Sequence, residues 1–301
     1  MSDGDARGSG TDIFVSAQDG LRLHLREYGM RTAPGLPVVC LPGLTRTVED
    51  FAALAPALAD HAGRKRRVLA LDSRGRGGSD YDSDPQHYNL AVELADVVAA
   101  LTALTVGPAV FVGSSRGGIL TMLLGATRPA AIAGVVLHDI GPVIEAAGLA
   151  RIKGYIGKLP QPASFADGAE ILRRMSAAQF PKLTAEQWLA AAHHTWQVKD
   201  GKLVPTYDVR LAETLADVDF ERPPPALWNE FDRLRRVPML VIRGANSDIL
   251  SAATVAAMAA RHPGMQSVEV PDQGHVPVLA GDLVGRIAQF VAGCDAKPDN
   301  S

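Results

Sequence analysis

An α/β fold, with helices packed on both faces of a parallel sheet, follows from two observations. Residues 38–41, 68–71, 109–112, 134–137 and 239–242 are short runs of continuous apolar character without alternation. That is the pattern of strands buried on both faces. Stretches with helical spacing separate or follow them at 48–59, 90–104, 119–126, 252–260 and 283–291, and regular strand–helix alternation is what a parallel sheet needs for its crossovers. Ahead of these lie two runs, 13–17 and 21–28, around Gln18-Asp19-Gly20. In the second, Leu21, Leu23 and Leu25 alternate with Arg22, His24 and Arg26, which predicts a β-hairpin with one buried face and a polar face carrying His24. A last strand-like run covers 267–270.

The alternation breaks between Gly141 and Arg235, where Pro160, Pro162, Pro181, Pro205 and Pro223-Pro224-Pro225 punctuate helical segments such as 169–175 and 185–194. The expected organisation is therefore a core of residues 11–141 and 236–293, a helical insertion at 142–235, and flexible tails at 1–10 and 294–301. A chain of 301 residues with 30 basic and 33 acidic side chains carries a formal charge of −3. This balance argues against a nucleic-acid binder acting through bulk positive charge. The polar, glycine-rich start lacks the charged-then-apolar order of a secretory signal, so a cytoplasmic location is expected. No apolar stretch reaches the roughly 18 residues of a membrane span. The two cysteines, Cys40 and Cys294, make no disulfide framework.

The chemistry is carried by loops that follow buried strands. Gly113-Ser114-Ser115-Arg116-Gly117-Gly118 contains G-x-S-x-G between a strand and a helix. Small residues around Ser115 permit a sharp turn that projects its hydroxyl from the sheet edge. A serine needs a base, and a neutral imidazole is the usual one. Of eight histidines, His275 in Asp272-Gln273-Gly274-His275 follows the last strand and precedes the last helix, where doubly wound sheets place active residues. The others (His24, His61, His87, His138, His193, His194 and His262) are read as surface or packing residues.

A carboxylate should orient the base. Asp248 and Asp139 both follow strands, and Asp248 is preferred because its loop immediately precedes the His275 unit and keeps the order Ser, Asp, His. Asp139 is then the candidate ion-pair partner of Arg116. Oxyanion donors are expected from the backbone N–H groups of Arg116 and of Leu44, in Leu41-Pro42-Gly43-Leu44-Thr45. Asp72-Ser73-Arg74-Gly75-Arg76-Gly77-Gly78-Ser79-Asp80 lacks the Lys-Ser/Thr ending and the spacing of a nucleotide loop, and is read as a structural turn braced by Arg74 and Asp72.

With these motifs in this order, the chain resembles the α/β-hydrolase superfamily from about Phe14 to Val291, and in particular its capped bacterial carboxylesterases and carbon–carbon bond hydrolases. The resemblance implies an eight-stranded, mostly parallel sheet, a helical cap inserted after strand six, a Ser115–His275–Asp248 triad, and neither cofactor nor metal. Two departures bear on substrate. Pro42-Gly43 stands where many relatives have His-Gly, and Arg116 occupies an elbow position often held by Met, Gln or Leu.

The expected activity is hydrolysis of a small-molecule carboxylic ester through an acyl-enzyme, in a monomer or homodimer without nucleic-acid or membrane partners. In the alternative, a carbon–carbon hydrolase, Arg116 with Trp196, Tyr207 and Trp228 would hold an acidic substrate; Val276 stands where ring-cleavage enzymes carry a Trp after the histidine. A lactonase or a non-catalytic ligand-binding protein ranks lower. The aromatic and apolar residues of the insertion, Leu172, Met175, Phe180, Trp188 and Leu189 among them, fit its own core as well as an acyl pocket.

Overall fold

The structure is a computed structural model that describes residues 10–216 and 224–295. Of the expected tails at 1–10 and 294–301, residues 1–9 and 296–301, together with Pro223 of the proline run, lie outside the described residues. One eight-stranded sheet organises the chain, in the order β1-β2-β4-β3-β5-β6-β9-β10. Its strands are β1 (Thr11–Ser16), β2 (Arg22–Tyr28), β3 (Val38–Leu41), β4 (Val68–Leu71), β5 (Ala109–Ser114), β6 (Ile132–His138), β9 (Met239–Gly244) and β10 (Gln266–Val270). Only β2 runs against its neighbours, pairing antiparallel with both β1 and β4; all other pairings in this sheet are parallel.

Alternation within the buried strands fills two cores at once. Val39, Leu41, Leu69, Leu71, Phe111, Val135 and Val241 pack on one face. Val38, Cys40, Val68, Ala70, Val110, Val112 and Val136 pack on the other. With apolar side chains needed on both sides, the strands read as unbroken hydrophobic runs. The first face is covered by α2 (Leu90–Ala103), α3 (Arg116–Thr127), α7 (Trp228–Arg233) and α8 (Ala252–Arg261), and the second by α1 (Leu54–Ala59) and α9 (Asp282–Gly293). The single helix expected over 48–59 is interrupted: Val48–Phe51 forms a tight 3-10 turn capped by Thr47, and α1 begins after it.

Among the described residues, the segment between β6 and β9 adds no strand to this sheet. It contains α4 (Ala146–Tyr155), α5 (Phe165–Ser176), α6 (Ala185–Thr195), which opens with a Thr184/Gln187 capping box, and a small antiparallel hairpin of β7 (Trp196–Lys199) and β8 (Lys202–Pro205).

Two local expectations change. His24 is not on a solvated face: β2 is an interior strand, and the His24 ring is buried between the Asp72 and Asp12 carboxylates at 2.7 and 3.0 Å. The C-terminal tail is ordered through Asp295, whose carboxylate lies 2.9 Å from the buried Arg66 guanidinium, and Cys294 is itself buried. None of the described helices is long and apolar enough to cross a membrane.

Candidate active site

Parallel strands deliver their following loops to one edge of the sheet. The residues after β3, β5, β6, β9 and β10 therefore converge, and among them are Gly43, Ser115, Asp139, Ser247 and His275. Ser115 is the hinge between β5 and α3, with φ +49° and ψ −115°. A positive φ is strained for a side chain other than glycine, at a typical cost of about 1–3 kcal/mol. The turn closes only because its neighbours are glycines. A Cβ on Gly117 would overlap the Leu41 carbonyl, and one on Gly113 would lie 2.6 Å from the Gly117 carbonyl oxygen.

His275 bridges two groups: Nε2 is 2.8 Å from the Ser115 hydroxyl oxygen, and Nδ1 is 2.7 Å from Asp139 Oδ2. A carboxylate can only accept, so Nδ1 carries the proton and the Nε2 lone pair faces the Ser115 hydroxyl. Asp139 is completely buried, at 0% exposure. Its Oδ1 accepts from the Gly244 N–H at 2.7 Å and its Oδ2 from the Ser247 hydroxyl at 2.6 Å. These two donors compensate the burial of the charge and fix the plane of the carboxylate.

This corrects the assignment of Asp248 as the partner of His275. Asp248 turns toward the inserted segment and takes both Arg151 Nε and Nη2, at 2.6 and 2.9 Å. Although burial opposes it, Arg151 holds the Asp248 carboxyl below its usual value. Within the same loop, Ser247 and the Gly244 N–H are the groups that reach the site, and they serve Asp139. The supposed Asp139–Arg116 pair is likewise absent: Arg116 Nε donates to Glu93 at 2.6 Å.

The loop after β3 lies over Ser115, since a Cβ on Gly43 would sit 3.6 Å from the Ser115 Cβ. Leu44 donates its N–H to no backbone group among the described residues, and Arg116, as the first residue of α3, has no acceptor for its N–H inside the helix. Beneath the site, His138 is buried with Nδ1 2.8 Å from the Ser114 hydroxyl, and burial pushes its pKa down to about 4.

Residues 38–286 match the family model described as the alpha/beta hydrolase family. The chain belongs to the alpha/beta hydrolase family. It is 34% identical over 295 residues to the 3-hydroxybutyrate-oligomer hydrolase of Cupriavidus necator, covering 93% of this chain and 97% of that one. It is 26% identical over 270 residues to the 2-(acetamidomethylene)succinate hydrolase of Mesorhizobium japonicum, covering 88% and 90%. The crystal structure of an alpha/beta hydrolase from Novosphingobium aromaticivorans superposes with a TM-score of 0.85 at 38% identity, covering 94% of this chain and 98% of that one. The family and these hydrolase relatives make the chain an enzyme of the hydrolase class.

In this hydrolase the three aromatic residues considered for substrate contact are engaged elsewhere. Trp196 is buried against Ala192 and Leu203. Tyr207 is buried and its hydroxyl accepts from the Gly157 N–H. Trp228 packs edge-on against Phe231 with the Arg261 guanidinium 4.4 Å from its ring centre. The loop of residues 72–80 is a structural turn held by both Arg74 and Asp72, each through its own partners. Arg74 pairs with Asp96, Asp82 and Asp19, whereas Asp72 accepts from the Val48 and Gly78 N–H groups and contacts His24. Asp19, Asp82 and His87 are close enough to one another to suggest a cation site. The Arg74 guanidinium, 2.9 and 2.6 Å from the two aspartates, already supplies that positive charge.

The sequence motifs do not point to Glu93, Ser247 and Arg151. Glu93 had a signal: with Asp96 it places two acids at i and i+3 on the helix face that also carries the buried Val97 and Ala100, and charges on a buried face demand partners. The other two depend on how the segment between β6 and β9 folds back, for which no local pattern exists.

Proposed function

We propose that this protein is a serine hydrolase that cleaves carboxylic esters through an acyl-enzyme, with Ser115, His275 and Asp139 as the triad. The observation that carries this reading is the position of the His275 ring, within 2.8 Å of the Ser115 hydroxyl and 2.7 Å of Asp139. Ser115 Oγ attacks the ester carbonyl carbon while His275 Nε2 takes its proton. Asp139 stabilises the imidazolium that forms, without itself taking the proton. The tetrahedral oxyanion is met by the N–H groups of Leu44 and Arg116. His275 then protonates the leaving alkoxide, the alcohol departs, and a water deprotonated by His275 attacks the acyl-enzyme to release the acid and free Ser115.

The similarity to a 3-hydroxybutyrate-oligomer hydrolase supports short hydroxy-acid oligoesters as the substrate class. The carbon–carbon alternative relied on Arg116 to hold an acidic substrate, and that guanidinium is occupied by Glu93. The test is a rate comparison of wild type and Ser115→Ala on p-nitrophenyl esters of increasing acyl length and on 3-hydroxybutyrate dimer and trimer. Wild type should turn over both classes and Ser115→Ala neither. Equal rates in the two proteins would refute the reading.

A further inference from the structure

A buried charged group links the two backbone segments assigned to the oxyanion. Glu93, in the first turn of α2, is 1% exposed. Its Oε2 accepts from Arg116 Nε at 2.6 Å, and its Oε1 lies 2.9 Å from Arg76 Nη1. Arg76 is equally buried, and its Nε donates to the Leu44 carbonyl oxygen at 2.7 Å while Nη1 donates to the Arg74 carbonyl at 2.6 Å. Arg116 makes a further contact through Nη2, to the Tyr88 carbonyl at 3.2 Å. One carboxylate therefore holds the guanidinium that grips the loop of Leu44, and also the side chain of the residue that begins α3.

As a stability device this arrangement is poor, because burying three ions costs much of what their attraction returns. What it supplies is geometry. The Pro42–Arg46 loop contains a glycine and has no place in the sheet, so its position over Ser115 depends on such tethers. Oxyanion donors contribute only when they are held in place before charge develops. No hydrogen bond among the described residues joins Glu93, Arg76 or the Arg116 side chain to Ser115 Oγ, His275 or Asp139.

We propose that Glu93 is a positioning residue of the oxyanion site: by tying Arg76, and with it the Leu44 carbonyl, to Arg116, it fixes the separation and direction of the two backbone N–H donors. The proposal rests on the serine-hydrolase reading above. Glu93 touches no substrate; it acts through the two arginines. Although burial opposes it, the Arg116 and Arg76 guanidiniums hold the Glu93 carboxyl below its usual value, so the tether is charged at neutral pH.

The test uses the full chain and two variants, Glu93→Gln and Arg116→Met, with thermal unfolding to establish that each is folded. Arg116→Met leaves the Arg76–Glu93 pair in place, and it decides the matter if Glu93→Gln does not fold. Deleting a single oxyanion donor typically costs about 10²–10³ in kcat, so displacing the donors should cost about 10- to 100-fold. KM should change by less than about threefold, because the donors act on the transition state. Affinity for a short-chain trifluoromethyl ketone, whose adduct with Ser115 carries an oxyanion, should fall by the same factor as kcat. The pH midpoint of kcat/KM should stay at the wild-type value, since His275 and Asp139 are untouched.

A folded variant that keeps both kcat and inhibitor affinity within about twofold of wild type overturns the proposal, as does a parallel loss accompanied by a moved pH midpoint. Failure of the underlying reading is seen separately, in wild type: no fluorophosphonate adduct at Ser115 would remove both.

Discussion

Asp139 reaches His275 from the end of β6 with a positive φ of 55°, a conformation that aspartate tolerates better than most side chains. The strain is compensated locally by the Gly244 N–H, the Ser247 hydroxyl and His275, all directed at one carboxylate. An asparagine there offers one acceptor oxygen to three donors, and with that oxygen on the Gly244 N–H its NH2 faces His275 Nδ1 and forces the ring into the wrong tautomer. Asp139→Asn should therefore lower kcat by about 10³–10⁴, whereas Asp248→Asn should lower it by less than about tenfold, because it breaks the Arg151 contact and leaves His275 in place. Steady-state kinetics of the two variants on one aryl ester would check this, and the reverse ranking would restore Asp248.

The preference for Asp248 rested on its loop lying next before the His275 unit, and chain order does not separate the two acids. Both follow buried strands, and both keep the chain order serine, acid, histidine. The difference lies in which of two adjacent loop residues, Ser247 or Asp248, turns toward the sheet edge, and that is set by Arg151 on α4, 97 residues away in the chain. Ser115 and His275 were legible because each sits in a short motif whose turn geometry is local.

At the scale of elements, the β5–Ser115–α3 turn depends on backbone approach more than on side-chain packing. A methyl group on Gly117 has no room beside the Leu41 carbonyl, so Gly117→Ala should either prevent folding or lower the unfolding free energy by about 2–4 kcal/mol. Denaturant titration would measure it, and an unchanged midpoint would contradict the packing described.

The segment between β6 and β9 is anchored to the core through residues 72–88. The Gly77 N–H donates to the Thr206 carbonyl, the Asp208 N–H donates to the Gly75 carbonyl, and the Tyr88 hydroxyl donates to Asp208 at 2.7 Å. Tyr88→Phe leaves the buried Asp208 without that donor and should cost about 1–3 kcal/mol of stability, measurable by the same titration. The break in strand–helix alternation after β6 was readable from its prolines and lost periodicity. These anchors were not, because they join residues more than 100 positions apart and obey no repeat.

Across the whole molecule, the sheet with two apolar faces was legible because burial on both sides leaves a continuous hydrophobic signature. The interior also contains polar groups that couple stability to pH. Burial holds neutral His138 at about 4, below its ordinary 6.5. The unfolded chain then binds this proton and the native chain does not between those values. Stability from this group is complete above about pH 6.5 and is lost as the pH falls toward 4, on the order of 3 kcal/mol in all. Urea unfolding from pH 7 to 4.5 should show this loss, and His138→Gln should flatten the slope; an equal slope in the variant would contradict it.

If Ser115, activated by His275 and Asp139, is the nucleophile, a fluorophosphonate should bond to it and nowhere else. Intact-mass and peptide mass spectrometry after treatment with a fluorophosphonate test it most directly. One adduct is expected, on Ser115, formed rapidly in wild type, slowly in Asp139→Asn and not at all in Ser115→Ala. An unlabelled wild-type protein that still hydrolyses esters, or an adduct on another residue with Ser115 unmodified, would contradict it.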